Sequence, residues 1–391
     1  MHIIYVPESF PQPSETFVIN EIDGLLGLGY QITVTPRIEG DFANTQHARL
    51  ERIMKKIKLV DSHGNFGLTA FVYALIYGGQ LWQGWRPNKV LNHIKLAGNI
   101  ARHVSVIKAQ KPDLILIHFG YNNAVAGVIA ARALRVPSLL WMHGSDMYTV
   151  PHRSLHWLTA NVSSVITNSS YSQGLLESLG VKNKVSTSNL GVNIEKFKPS
   201  LPEKKEINPT IICIARIGHN KNHVRLIKVF HRVLDEIPNA KLWLVGDGKN
   251  RKECESLIST KNKESIVFWG ALSQEKVVTL LEKSWIKVLL SEKEALGVAF
   301  MEAQSAGLPC IASDVGGIPE VIKMNETGFL FDLDSPEFND KLVQSIVNIL
   351  DDDALRKKMG VAARIRAEAF FDEKDHIKRM DKLIKQSVKG E

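Results

Sequence analysis

Two glutamates, Glu294 and Glu302, stand eight positions apart in the stretch SEKEALGVAFMEAQSAGLPCIASDVGGIPEVI, Ser291 to Ile322. On one continuous helix, at ~1.5 Å per residue, they would lie ~12 Å apart, too far to share a proton or a metal ion. An acid/base dyad is therefore a poor reading. The alternative puts Glu294 in the loop after the apolar strand IKVLLS and lets Gly297 turn the chain into a helix that carries Glu302. Carboxylates placed so would grip different parts of one ligand.

In an open parallel sheet, ligands bind beyond the carboxyl ends of the strands. Arg216 and Lys221 follow the run TIICIA, Gly246, Asp247 and Gly248 follow AKLWLV, and Gly270 follows SIVFW. DVGGIPE, with Gly316 and Gly317 just ahead of Pro319, follows PCIAS. Together these loops offer two cations for a diphosphate, a helix N-terminus with N–H groups at Gly297 and Val298 for the same anion, and carboxylates for hydroxyls. Such a set fits a nucleotide sugar. Glu302, one turn inside its helix, is placed for the diol of a ribose, and Glu294 for the sugar. Each residue alone has a plainer reading: Arg216 and Lys221 as surface charges, Gly246 to Gly248 as a tight turn. Their order, each at a strand end, favours the site.

The elements that must position these residues alternate strand and helix from end to end, the pattern of parallel α/β sheets. The first half offers HIIYV, a helix TFVINEIDGLLGLG, then QITVTPR, DLILIHF, SLLWMHG, SVITNSS and KVSTSNLG. The second restarts at TIICIAR and continues through AKLWLVG, SIVFWG, IKVLLS, PCIAS and TGFLF. NIEKFKPSLPEKKEINP, with three prolines, reads as an exposed linker. The expected organisation is a first domain over 1–197 and a second over 198–370, two Rossmann-like domains facing each other across a cleft. The helical tail, about 371–391, is expected to pack back on the first domain.

With 391 residues, 44% hydrophobic and 23% charged, disorder and fibrous classes are excluded. Cys213, Cys254 and Cys310 have no Cys-x-x-Cys spacing and read as buried thiols of a reducing compartment. The N-terminus lacks the basic start and apolar run of a signal peptide, so a cytoplasmic protein is expected. Residues 48–112 hold eleven Lys and Arg against two acids, a net +9 when the whole chain is +8. No nucleic-acid-binding signature accompanies this region, so an anionic membrane is the expected partner and nucleic acid is not. Phe66 to Gly79, too short to span, is followed by Trp82 and Trp85 and flanked by Lys55, Lys56, Lys58, Arg86 and Lys89, as an interfacial segment would be. The plainer reading is a core helix with a solvated basic face.

On Glu294-x7-Glu302 and Arg216-x4-Lys221 the chain resembles the family-4 retaining glycosyltransferases of the GT-B fold, over nearly its whole length. The first half shares the resemblance in PSETFVINEI, IHFGYNN, MHGSDMY, TNSSYS and NLGVNIEKF, and its SETF opening is similar to enzymes that build bacterial surface polysaccharides of the colanic acid, capsule and exopolysaccharide type. The resemblance implies transfer, with retention and without metal, of a sugar from a nucleoside-diphosphate sugar to a glycan or lipid-linked acceptor. The donor is a substrate, and no cofactor is implied. It also implies that Glu294 contacts the transferred sugar, Glu302 the ribose, and Arg216 with Lys221 the diphosphate. His143, in HGSD, matches a family histidine near the reacting centre; without the family, a histidine at a strand end is more often structural. His118 in IHF reads equally as core.

Two departures touch this pattern. The Gly-Gly turn many members carry after the first strand is PESFPQPSETF here, leaving Ser14, Glu15 and Thr16 to supply the polar contacts of that loop. The glycines flanking the Arg–Lys pair are Ala215 and Asn222.

Rival readings are a nucleotide-sugar epimerase of the same fold class and a non-catalytic sugar-nucleotide binder. A nicotinamide-dependent dehydrogenase would need Gly-x-Gly-x-x-Gly, and LVGDGKNRK has only the first two glycines. Asp-x-Asp occurs at Asp332 to Asp334 but lies outside the inferred site, and there is no His-Glu-x-x-His, so no metal ligand is expected.

Overall fold

The computed structural model describes residues 1–12, 15–42, 45, 47, 49–62, 71–72 and 90–390. These form two compact units, one of Met1–Asn189 with Lys374–Glu391, the other of Leu190–Glu373. Each is built on its own parallel sheet.

In the first unit the strands are β1 (His2–Val6), β2 (Ser9–Phe10), β3 (Gln31–Val34), β4 (Ile38–Glu39), β5 (Lys58–Leu59), β6 (Leu114–His118), β7 (Ser138–Met142), β8 (Ser164–Thr167) and β9 (Val185–Thr187). Seven of them pair in the order β5-β3-β1-β6-β7-β8-β9, all parallel, while β2 and β4 form a separate parallel pair. The central strands β6 and β7 are buried along their whole length. Near-continuous apolar runs of this kind belong to sheets covered on both faces. β5 closes one edge and was not legible as a strand, because KIKLV is short and charged.

The second unit repeats the scheme with β10 (Thr210–Ile214), β11 (Lys241–Val245), β12 (Ile266–Gly270), β13 (Ile286–Leu289), β14 (Cys310–Ser313) and β15 (Gly328–Phe331). Their order is β12-β11-β10-β13-β14-β15, again all parallel. The cysteines are free and buried, Cys213 in β10, Cys310 in β14 and Cys254 in the helix Arg251–Ser256. Burial pushes the thiols of Cys213 and Cys254 up to about 11 and that of Cys310 to about 12.

The units divide the chain after Asn189 and after Glu373, where the sequence reading put boundaries at 197 and about 370. Residues 190–197 belong to the second unit, where Phe197 is buried and its carbonyl accepts from Ser305 Oγ at 2.5 Å and Arg364 Nη1 at 3.1 Å. The stretch read as a linker is thus partly core. The helical tail divides into Asp353–Phe370, which belongs to the second unit, and Glu373–Lys389. From Lys374 onward the latter belongs to the first unit, burying Met380 and Ile384, and Asp381 accepts from Tyr30 Oη at 2.6 Å. Among the described residues no helix is long and apolar enough to cross a membrane.

Candidate functional site

In the second unit, the loops after β10, β13 and β14 are tied together by hydrogen bonds to backbone carbonyls. Glu292 N donates to Asn220 O at 2.8 Å, Asn222 Nδ2 to Leu290 O at 3.0 Å, and Gly317 N to Glu294 O at 3.0 Å. This network brings together two of the residues read from the sequence, Lys221 and Glu294. Lys221 Nζ donates to Glu294 Oε2 at 2.5 Å and to Ser291 Oγ at 3.3 Å. Arg216, in the same loop as Lys221, is exposed. Asn222, where the family pattern has glycine, has φ +51°, a left-handed conformation that asparagine tolerates better than most residues.

Gly297 (φ +92°) caps the helix Val298–Ser305, its carbonyl accepting from Phe300 N at 2.9 Å. The first amides of that helix, including Val298, have no intrahelical acceptor and present their N–H groups at its N-terminus. Glu302 sits one turn in, partly buried. Burial lifts its carboxyl to about 7, against the opposing pull of the Lys287 and Lys196 charges.

Lys287 was missed by the sequence reading. It lies fully buried in β13, its Nζ 5.2 Å from the centre of the Phe300 ring and without a hydrogen bond among the described residues. The signal was present: a lysine inside the apolar run IKVLLS.

Two glycine contacts fix the frame. Gly316 has φ +59°, and a β-carbon there would come within 1.8 Å of Glu294 O. Gly246 donates from N to Gly270 O at 2.8 Å and lies so close to Ala215 O that a β-carbon would stand 2.1 Å from it.

In the first unit His143 follows β7. Asp146, buried in HGSD, accepts from the amides of His143 (3.1 Å), Gly144 (2.9 Å), Met147 (3.1 Å) and Gly120 (3.0 Å), which joins the loops after β6 and β7. The His143 ring sits 4.6 Å, centre to centre, from both Phe17 and Phe119. Its Nε2 lies 2.9 Å from His118 Nδ1. His118 Nε2 lies 3.4 Å from Glu21 Oε1, which also accepts from Tyr5 Oη at 2.6 Å, and His376 Nε2 stands 3.7 Å from Glu21 Oε2. Burial raises the Glu21 carboxyl, but the His118 and His376 rings outweigh it and hold the group well below the usual carboxylate range. Burial, then the neighbouring His118, pushes His143 well below the usual histidine range.

Glu21 and His376 were also missed. Glu21 falls in the buried stripe Val18, Ile19, Glu21, Ile22, Leu25 of the helix Thr16–Gly27, and a carboxylate in an apolar stripe is the signal that could have found it.

Of the acceptor-side loop, Ser14 lies outside the described residues. Glu15 and Thr16 are partly buried at the start of the helix Thr16–Gly27. Burial, with Glu8 nearby, lifts Glu15 to about 7. Lys55, Lys56 and Lys58 are exposed. Most of Phe66 to Gly79, and Trp82, Trp85, Arg86 and Lys89, lie outside the described residues.

A family model described as Glycosyltransferase Family 4 matches residues 14–196, and one described as Glycosyl transferases group 1 matches residues 193–366. The amylovoran biosynthesis glycosyltransferase AmsK of Erwinia amylovora is 23% identical, across 99% of this chain and all of that one. The putative colanic acid biosynthesis glycosyltransferase WcaL of Escherichia coli K12 is 24% identical across 82% of this chain and 84% of that one. Among solved structures, Anabaena Alr3699/HepE in complex with UDP superposes with a TM-score of 0.77 at 18% identity, covering 99% of this chain and all of that one.

Proposed function

Since the chain belongs to the family-4 glycosyltransferases and its two parallel-sheet halves are those of the GT-B fold, we propose that it moves a sugar from a nucleoside-diphosphate sugar, with retention and without a bound metal, to a glycan or lipid-linked acceptor in surface-polysaccharide synthesis. The observation that carries this reading is the meeting of Lys221 and Glu294 beside the capped helix that bears Glu302. Lys221 and Arg216 offer positive charge to the diphosphate, and the amides at Gly297 and Val298 extend that field. Glu302 accepts from the ribose diol, Glu294 from hydroxyls of the transferred sugar, and Gly246 lets the chain pass close beneath the donor. In the other unit, His143 takes the part of the family histidine it matches, while Glu15 and Thr16, with Ser14, serve the acceptor side. The chain works in the cytoplasm, docked on the inner face of the membrane through residues 48–112.

Nothing in this scheme needs a cofactor, because charge on the leaving diphosphate is met by fixed cations and dipoles. A panel of nucleotide sugars tests it. One donor should raise the melting temperature, and that same donor should be consumed in chelator only when an acceptor is added. Conversion of the free donor sugar without an acceptor would replace transfer by epimerisation, and loss of turnover in chelator restored by magnesium or manganese would refute metal independence.

A further inference from the structure

Three loops at the carboxyl end of the first sheet each carry a tyrosine that the donor chemistry does not use: Tyr121 after β6, Tyr148 after β7 and Tyr171 after β8. In an open parallel sheet this is the end where ligands bind. Tyr148 and Tyr171 are 37% and 39% exposed, and Tyr121 is partly so. Hydroxyls tie the three loops together, Tyr121 Oη lying 2.9 Å from Ser145 Oγ and Tyr148 Oη 3.0 Å from Tyr171 Oη. Ser145, Tyr148 and Thr149 stand at i, i+3 and i+4 of the short helix Ser145–Thr149, so they share a face. Each ring is anchored at its hydroxyl, which fixes its tilt.

Behind Tyr121 the backbone is strained. Phe119 has φ +68°, a left-handed conformation that is an outlier for a bulky side chain. It is kept by bonds from Phe119 N to Trp141 O at 2.9 Å and from Asn123 Nδ2 to His118 O at 2.8 Å. Strain held this way collects at ligand sites. The Phe119 ring lies 5.9 Å from that of Tyr121, within 11° of parallel, and 4.6 Å from that of His143, so aromatic surface runs on from His143 to Tyr121. Beside Tyr121 is a cavity of about 230 Å³, walled also by Asn122, Thr149 and Pro151. It is smaller than the ~300 Å³ at which drug-sized sites begin, and it suits a single sugar ring.

Charge decides what stacks there. Residues 119–123, 143–151 and 168–174 contain no Lys or Arg, and their one acid, Asp146, is buried with its oxygens accepting from backbone amides. A nucleic acid or an anionic lipid would find no cation in these loops for its phosphates. A pyranose needs none, because its slightly positive C–H face packs on the negative face of an aromatic ring. We propose that Tyr121, Tyr148 and Tyr171 form a stacking platform for neutral pyranose rings, so that the acceptor is one that already carries sugars. The acceptor role rests on the transfer reading; the binding of saccharide does not.

Saturation-transfer NMR of the full chain without donor, with trisaccharides of β-linked glucose, galactose and N-acetylglucosamine as probes, reads this directly. Saturation of the aromatic protons should reach the C–H groups of at least one trisaccharide. Most of that transfer should vanish in protein whose tyrosine rings are deuterated, a labelling that leaves the fold untouched. Kd should stay within about threefold in Tyr121→Phe, which keeps the ring. It should rise about tenfold in Tyr121→Ala and in the double variant Tyr148→Ala, Tyr171→Ala, the scale of one ring contact with the area it buries. No transfer to any trisaccharide in the wild type overturns the proposal whether or not any variant folds, as does a wild-type Kd in both alanine variants. Binding to sugar-free anionic vesicles that is lost in the alanine variants, with no trisaccharide bound, would make the tyrosines interfacial anchors instead. If a trisaccharide binds and no nucleotide sugar is turned over, the transfer reading falls and the platform stands. If a donor is turned over and no trisaccharide binds, only the platform falls.

Discussion

Lys221 and Glu294, expected to hold different parts of one donor, bond to each other at 2.5 Å, each about one-fifth exposed. The pair is too wet to count as a buried ion pair and too enclosed to be an idle surface one. A double-mutant cycle on Lys221→Ala and Glu294→Ala should give a coupling of about 1 kcal/mol in unfolding free energy without donor. With donor the two should separate. Lys221→Ala, like Arg216→Ala, should lower kcat more than KM, since the cation meets charge that grows as the bond to diphosphate breaks. Glu294→Ala should leave nucleoside-diphosphate affinity within about twofold and reduce turnover. Equal loss of nucleotide affinity in Glu294→Ala and Glu302→Ala would remove the division of roles.

Glu302 makes donor binding depend on pH. Its carboxyl is raised to about 7, and only the ionised form can accept two bonds from a ribose diol. Below pH 7, binding must therefore expel a proton, and affinity should fall toward tenfold per pH unit as acidity increases. For folding the sign is opposite. The native state holds this proton between about pH 4.5 and 7 while the unfolded chain does not, so the Glu302 contribution to stability declines as pH rises through that window. Titration calorimetry in two buffers of different ionisation heat counts the protons released. Glu302→Gln should weaken binding and abolish the extra pH dependence, and a mutant profile matching the wild type would show that the diol is held elsewhere.

The strands were legible because both sheets are parallel and covered on both faces, which writes them as apolar runs such as LILIH and SLLWM. The edge strand β5 and the small β2–β4 pair carry no such run. In the second unit the candidate site was legible because its residues sit at strand ends in chain order. Glu21 and His376 were not, since no spacing links positions 21, 118, 143 and 376; only folding puts their side chains in one line. The boundary at 197 was misplaced because prolines and charges look like linker even where Phe197 is core.

Gly316 tests whether the frame of the site matters as much as its charges. Its φ is +59°, and a β-carbon there would stand 1.8 Å from Glu294 O, so Gly316→Ala must push the Glu294 loop away. Turnover should fall at least about tenfold, a loop displacement of about 1 Å being enough for larger losses. Stability should fall by about 1–3 kcal/mol, the cost of a strained left-handed residue plus the clash. Wild-type turnover in Gly316→Ala would mean that the Glu294 backbone is free to shift without affecting the reaction.

The membrane prediction rests on charge that is on the surface. Lys55, Lys56 and Lys58 are exposed beside Leu59, which is 37% exposed in the edge strand β5. Lysines near an anionic bilayer contribute ~1 kcal/mol each, so removing three should weaken binding about 10²-fold, and reversing their sign should weaken it further. Liposome sedimentation should show binding that rises with anionic lipid content and falls with salt, as Debye screening requires. The triple Lys55→Glu, Lys56→Glu, Lys58→Glu variant should remain in the supernatant while keeping its thermal response to the donor. If the wild-type protein also stays in the supernatant with anionic vesicles at low salt, residues 48–112 do not dock the enzyme, and the acceptor is one that reaches it in solution.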